Sequence, residues 1–175
     1  STARRETGNR GQGTGNRDMA VAFVTGGTRG IGLAVVEALV ARGDSVVLTG
    51  TSDESVQRAL APLNPAEVLT PTSAECDLRD PVATDALFTR TAPDLVIHLA
   101  ARVGGIGANR ERPGDLYIDN LLIGTHVIDA ARRHEVAKTV AVGTICSYPK
   151  ITPVPFQETS LWTGYPEAPN APYGV

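Results

Sequence analysis

From Ala20 onward, short apolar runs rich in β-branched residues alternate with longer stretches of helical period. Ala20–Thr25 (AVAFVT) predicts a buried strand, and Leu33–Ala41 (LAVVEALVA) predicts a helix that stops at Gly43. Ser45–Thr49 predicts a second strand, and Glu54–Leu63 a helix ended by Pro65. A third strand is expected within Glu67–Asp77, where Pro71 blurs its limits. Pro81–Thr91 reads as a helix with proline in its first turn, and Asp94–Ala100 (DLVIHLA) as a continuous apolar strand. Arg102–Arg112 reads as a glycine- and arginine-containing loop, followed by a helix from about Pro113 to His134 and a fifth strand over Lys138–Val142. Strands and helices in this order predict an α/β fold, a doubly wound parallel sheet joined by right-handed crossovers. The six prolines from Pro149 to Pro172 argue against regular elements and predict a structured, substrate-side segment.

Composition narrows the class. A chain of 175 residues with 42% hydrophobic content suits one domain with a proper core. A formal charge of −3 gives no electrostatic footprint for nucleic acid. No apolar run approaches the roughly 18–20 residues of a membrane span. Two cysteines, Cys76 and Cys146, are too few for a disulfide framework and suit a reducing compartment, so the expectation is a cytoplasmic protein with no metal site. Residues 1–18 carry four arginines, repeated glycines and no large apolar side chain, and are expected to be a disordered tail.

The candidate chemistry begins after the first strand, at Thr25-Gly26-Gly27-Thr28-Arg29-Gly30-Ile31-Gly32. Phosphates need a backbone free of Cβ atoms and a helix N-terminus that points N–H groups and positive dipole at them. Gly26, Gly30 and Gly32 supply this at the first strand–helix junction, where a Rossmann-like sheet takes a dinucleotide. The spacing differs from the usual GxGxxG. The second strand ends Leu48-Thr49-Gly50-Thr51-Ser52, with no carboxylate for a ribose before Asp53. A 2′-phosphate would meet no repulsion there, and Arg29 offers it a bidentate partner, which favours NADP(H) over NAD(H). The residues leave open whether Arg29 is instead a surface side chain, and whether Asp77 bonds an adenine or caps a turn. The remaining expected cofactor contacts are Thr28, Ile31, Leu78, Leu99, Ala100, Ala101, Val142 and Gly143, at the turn and the strand ends. His98 reads as a core or hydrogen-bonded histidine, and Asn120 as a bridge to backbone.

The runs TGGTRGIG (25–32), CDLRD (76–80) and DLVIHLAA (94–101), with a hydroxyl at the fifth-strand end and a later tyrosine, resemble the short-chain dehydrogenase/reductases. A narrower resemblance, to the epimerase/dehydratases and within them the GDP-L-fucose synthases, rests on HLAARVGGI (98–106), Asn120, GTICSYPK (143–150) and EAPNAPYG (167–174). It covers roughly residues 20–175. The resemblance implies an NADPH-dependent epimerase-reductase of a GDP-4-keto-6-deoxyhexose, a homodimer when full length, with three catalytic positions. Thr144 falls on the serine that bonds the C4 oxygen, and Tyr173 on the tyrosine of Tyr-x-x-x-Lys. Cys146 falls on the cysteine that moves protons at C3 and C5. Val103, Gly104 and Gly105 fall in a segment lining the nucleotide-sugar site.

A 4-keto sugar has acidic C–H bonds on both neighbouring carbons, which one thiol beside the ring can exchange. On an extended strand, Thr144 and Cys146 at i and i+2 would face one substrate together. Ile145 departs from the family's second serine, and Val175 stands two positions before the lysine that would follow Tyr173. The expected organisation is therefore a tail (1–18), a cofactor-binding domain (19–148) and an active-site segment (149–175), ahead of a substrate domain. The rival readings are another sugar-nucleotide epimerase or dehydratase, and a non-catalytic NADP-binding module.

Overall fold

The computed structural model describes residues 20–61, 63 and 68–174, apart from the side chain of Tyr173. The expectation for residues 1–18 lies outside them.

The β-rich runs form β1 (Val21–Thr25), β2 (Ser45–Leu48), β3 (Val68–Leu69), β4 (Leu95–His98) and β5 (Lys138–Ala141). All pair in parallel in the order β3-β2-β1-β4-β5, with Val24 registered against Leu48 on one side and Ile97 on the other. Between them run α1 (Gly30–Ala41), α2 (Asp53–Leu60), α3 (Pro81–Thr91), α4 (Gly105–Glu111) and α5 (Pro113–Arg133), with α6 (Ala171–Gly174) near the end. This is the doubly wound, Rossmann-like α/β architecture.

Strand periodicity sorts the core into two layers. Phe23, Val47 and Val96 point to one face and meet Leu87 and Phe88 of α3 and Val127, Ala130 and Ala131 of α5. Phe23 and Phe88 make an edge-to-face pair at 5.4 Å. Ala22, Val24, Val46 and Leu48 point to the other face and meet Val36 and Leu39 of α1. Burying each of the valine and leucine side chains contributes about 1.5–3 kcal/mol, which fixes the strand register around β1.

Helix ends follow local chemistry. Asp80 accepts the Val82 N–H at 2.8 Å, with Pro81 as the first residue of α3. Ser52 and Ser55 form a reciprocal cap on α2. Helix α1 starts three residues earlier than its apolar period, because Gly30–Gly32 complete its first turn.

Two expectations are corrected. Arg102–Arg112 is not a loop throughout: it contains α4. Glycine at 104, 105 and 107 erases the helical signal, yet Gly105 takes φ +71, and a Cβ at Gly104 would meet that of Ala108 at 2.4 Å. The glycines thus serve the backbone geometry of this turn, at positions where helical propensity is weak. The proline-rich segment likewise contains a 3-10 turn at Glu158–Trp162 and the short α6. Among the described residues, no helix is long and apolar enough to cross a membrane.

Candidate functional site

The sheet's carboxyl edge opens into a cleft of about 1530 Å3 at the point where the chain reverses between β1 and β4. Its floor is the glycine turn. Gly26 has φ +71, and a Cβ at Gly32 would stand 2.2 Å from the Gly26 carbonyl oxygen, so both positions require glycine. The Gly26 and Gly27 N–H groups donate to the Thr49 hydroxyl (3.2 Å) and carbonyl (3.1 Å), which ties the turn to the end of β2. Nothing stands within 4 Å of a Cβ built on Gly30. Arg29, at the N-cap of α1, makes no capping bond with its side chain. The first N–H groups of a 12-residue helix therefore face open space, a cradle shaped for a dinucleotide's phosphates.

One wall is the end of β4. The buried Thr25 hydroxyl accepts the Leu99 and Ala100 N–H groups at 3.0 and 2.9 Å. Both lone pairs are then used, so its single proton donates to His98 Nδ1 at 2.7 Å. His98 is thereby fixed as the neutral tautomer with its proton on Nε2, and burial pushes its pKa below the ordinary 6.5. Asn120 on α5 clamps Arg102, two positions beyond Ala100: its Oδ1 accepts the Arg102 N–H at 2.6 Å and its Nδ2 donates to the Arg102 carbonyl at 3.0 Å. The bridging role read from the sequence is the one observed.

The rim next to this wall carries charge. Asp77 accepts the Arg79 backbone N–H at 2.9 Å and pairs with its guanidinium at 2.6 Å, so it closes a turn while facing the cleft. Asp119 of α5 pairs with both Arg102 and Arg79. The Arg79 guanidinium holds the Asp77 carboxyl below the usual range, and Arg102, then Arg79, does the same for Asp119.

The end of β5 differs from expectation. Thr144 is extended, but Ile145–Ser147 turn into a 3-10 helix, and the Cys146 N–H donates to the Thr144 hydroxyl at 3.2 Å. The extended i, i+2 arrangement of Thr144 and Cys146 is therefore corrected. Thr144 and Ser147 line the cleft, whereas Cys146 is half-buried outside its wall. Helix α6, which carries Tyr173, docks on this turn: a Cβ at Gly174 would meet the Cys146 carbonyl oxygen at 2.3 Å. The position of the Tyr173 side chain lies outside the described residues.

All thirteen residues read as cofactor contacts stand around this one cleft: Gly26, Thr28, Arg29, Gly30, Ile31, Gly32, Asp77, Leu78, Leu99, Ala100, Ala101, Val142 and Gly143. Val103 and Thr144 join them. Gly104 lines a separate hollow of about 180 Å3 beside Arg102 and Arg112, and Gly105 lines neither. Sequence reasoning missed Thr49, Thr51 and Ser73 beside the turn, the Arg79–Asp119–Arg102 bridge, and Ser147. The hydroxyls at the end of β2 were visible as polar residues closing an apolar run. The bridge left no local signal, since its partners lie 40 and 17 residues apart.

A parallel sheet with a phosphate cradle at its switch point defines a dinucleotide-binding domain. The chain belongs to the NAD dependent epimerase/dehydratase family, whose model matches residues 22–175. It is 39% identical over 127 residues to the probable GDP-L-fucose synthase 1 of Oryza sativa subsp. japonica. To the GDP-L-fucose synthase of Escherichia coli (strain K12) it is 33% identical over 126 residues. Each match covers 72% of this chain and 39% of the relative, so the matched stretch is well under half of those proteins. Among solved structures, a GDP-L-fucose synthetase from Naegleria fowleri bound to NADP superposes with a TM-score of 0.67 at 26% identity, covering 89% of this chain and 43% of that one.

Proposed function

We propose that the whole protein is an NADPH-dependent epimerase-reductase of a GDP-4-keto-6-deoxyhexose, similar in activity to the GDP-L-fucose synthases. The observation that carries this reading is that a phosphate cradle and a fifth-strand hydroxyl, Thr144, share one cleft. The glycine turn and the open first turn of α1 would hold the pyrophosphate, and Arg29 a 2′-phosphate. Asp53, the first carboxylate after β2, is not in the cleft wall, whereas Thr49, Gly50 and Thr51 are, which favours NADP(H) over NAD(H).

When bound, a reduced nicotinamide supplies hydride for a ketone carbon. The protein's task is to manage the oxygen and the protons. Because the Thr144 oxygen accepts the Cys146 N–H, its own proton is free to donate to the C4 oxygen as negative charge develops there. Tyr173, carried on α6, would deliver the proton that completes the alcohol. Cys146 would exchange protons at C3 and C5, the acidic positions flanking the ketone.

A second reading, ketone reduction without epimerisation, is favoured by the place of Cys146 outside the cleft wall. One experiment separates the two. With GDP-4-keto-6-deoxymannose in D2O, the whole protein is expected to oxidise NADPH and to wash deuterium into C3 and C5, with Cys146→Ser suppressing wash-in more than reduction. Reduction without wash-in selects the second reading. Activity only with a dTDP- or UDP-sugar rejects the GDP-sugar assignment, and NADPH binding without turnover of any nucleotide sugar leaves a binding module.

A further inference from the structure

We propose that Ser147 is a substrate-contacting residue, whose hydroxyl reads a ring hydroxyl of the sugar on a carbon that is neither reduced nor epimerised; this rests on the nucleotide-sugar reading above. A 3-10 helix has three residues per turn, so side chains at i and i+3 eclipse on one side. Thr144 caps the turn Ile145–Ser147 and the Ser147 N–H donates to its carbonyl at 3.1 Å, which sets the two residues one turn apart. Both line the cleft. The residues between them do not: Ile145 is 67% exposed and Cys146 is half-buried outside the wall.

The two hydroxyls differ in what they have left to give. The Thr144 oxygen already accepts the Cys146 N–H at 3.2 Å and keeps one lone pair and its proton. The half-buried Ser147 hydroxyl has no hydrogen-bond partner among the described residues, and only its backbone N–H serves the turn. Its full capacity, one proton and both lone pairs, is therefore open to a sugar hydroxyl, which both donates and accepts, whereas a ketone oxygen only accepts. The turn thus presents a paired reader: Thr144 for the oxygen that gains charge, Ser147 for a ring hydroxyl that the reaction leaves in place. A contact to a group unchanged by the reaction is made equally in ground and transition states, and so shows in KM rather than kcat.

The test compares Ser147→Ala, Ser147→Thr and Thr144→Ala in the whole protein, with GDP-4-keto-6-deoxymannose and NADPH. Ser147→Ala is expected to raise KM for the sugar about five- to tenfold at nearly unchanged kcat. Ser147→Thr should restore most of the loss, and the dissociation constant for NADPH and the melting temperature should stay at wild-type values. Thr144→Ala should instead lower kcat. Sugar KM unchanged in Ser147→Ala, or a loss shared equally by NADPH affinity and thermal stability, overturns the role of Ser147 while leaving the enzyme reading intact. A wild-type protein that turns over no nucleotide sugar overturns both.

Discussion

Within the cleft, the side chain with the most completely determined state is His98. Thr25 can serve the Leu99 and Ala100 N–H groups and His98 only if the imidazole accepts at Nδ1, so the ring is neutral while the strand end is intact. The sign of its pH dependence follows. Its unfolded pKa is near the ordinary 6.5 and burial lowers the folded value, so above pH 6.5 both states are neutral and stability is full. As pH falls below 6.5 the unfolded chain takes up a proton that the folded chain refuses, and stability drops by up to about 1.4 kcal/mol per pH unit. Urea unfolding of wild type and His98→Gln from pH 7.5 to 5 should show the wild-type slope flattened in the variant. Parallel slopes would mean that His98 titrates alike in both states. The salt-bridged Asp77 and Asp119 act in a lower window, since their depressed folded values place any loss below the usual carboxylate pKa.

At the scale of elements, two close approaches decide whether the site assembles. The first turn of α1 can sit under β1 only because Gly32 has no Cβ to strike the Gly26 carbonyl, and α6 can reach the 3-10 turn only because Gly174 has none to strike the Cys146 carbonyl. Backbone atoms cannot swing aside as side-chain ends do. Gly32→Ala is expected to abolish dinucleotide binding and to destabilise the domain by about 1–3 kcal/mol. Gly174→Ala should leave NADPH affinity unchanged and cut kcat, because it displaces the helix that carries Tyr173 and not the cradle. A Gly174→Ala protein with wild-type kcat would mean that α6 does not position the reaction.

Element scale is also where sequence reading met its limits. β1, β2 and β4 were legible because each is an unbroken apolar run bounded by turn residues, and the glycine turn was legible because its residues are adjacent. α4 was not, since Gly104, Gly105 and Gly107 carry no helical preference, and the entry to the helix turns on the positive φ of Gly105, which no residue pattern announces. The Thr144–Cys146 geometry was misread for a similar reason. Three residues fit an extended or a 3-10 path equally well, and the choice is made by the Thr144 cap and the docking of α6.

At the scale of the whole molecule, the cleft draws on the ends of β1, β2, β4 and β5 at once, so a ligand bound there ties together strands whose connections cross both faces of the sheet. Such a ligand stabilises the folded state by mass action, about 2.7 kcal/mol at a hundred times its dissociation constant. The charge around the cradle makes the choice of ligand testable in the same measurement. Asp77 and Asp119 are each engaged by arginines, whereas Arg29 forms no ion pair among the described residues. A 2′-phosphate would give Arg29 a bidentate partner, and a bare ribose would give it none. NADPH is therefore expected to raise the melting temperature more than NADH at equal concentration. Arg29→Ala should weaken NADPH by about tenfold or more while leaving NADH unchanged, since one charge-assisted contact contributes roughly 1.5–3 kcal/mol. If the variant weakens both cofactors equally, Arg29 acts on the shared pyrophosphate or on the turn itself, and the proposed preference for NADP(H) loses its physical basis.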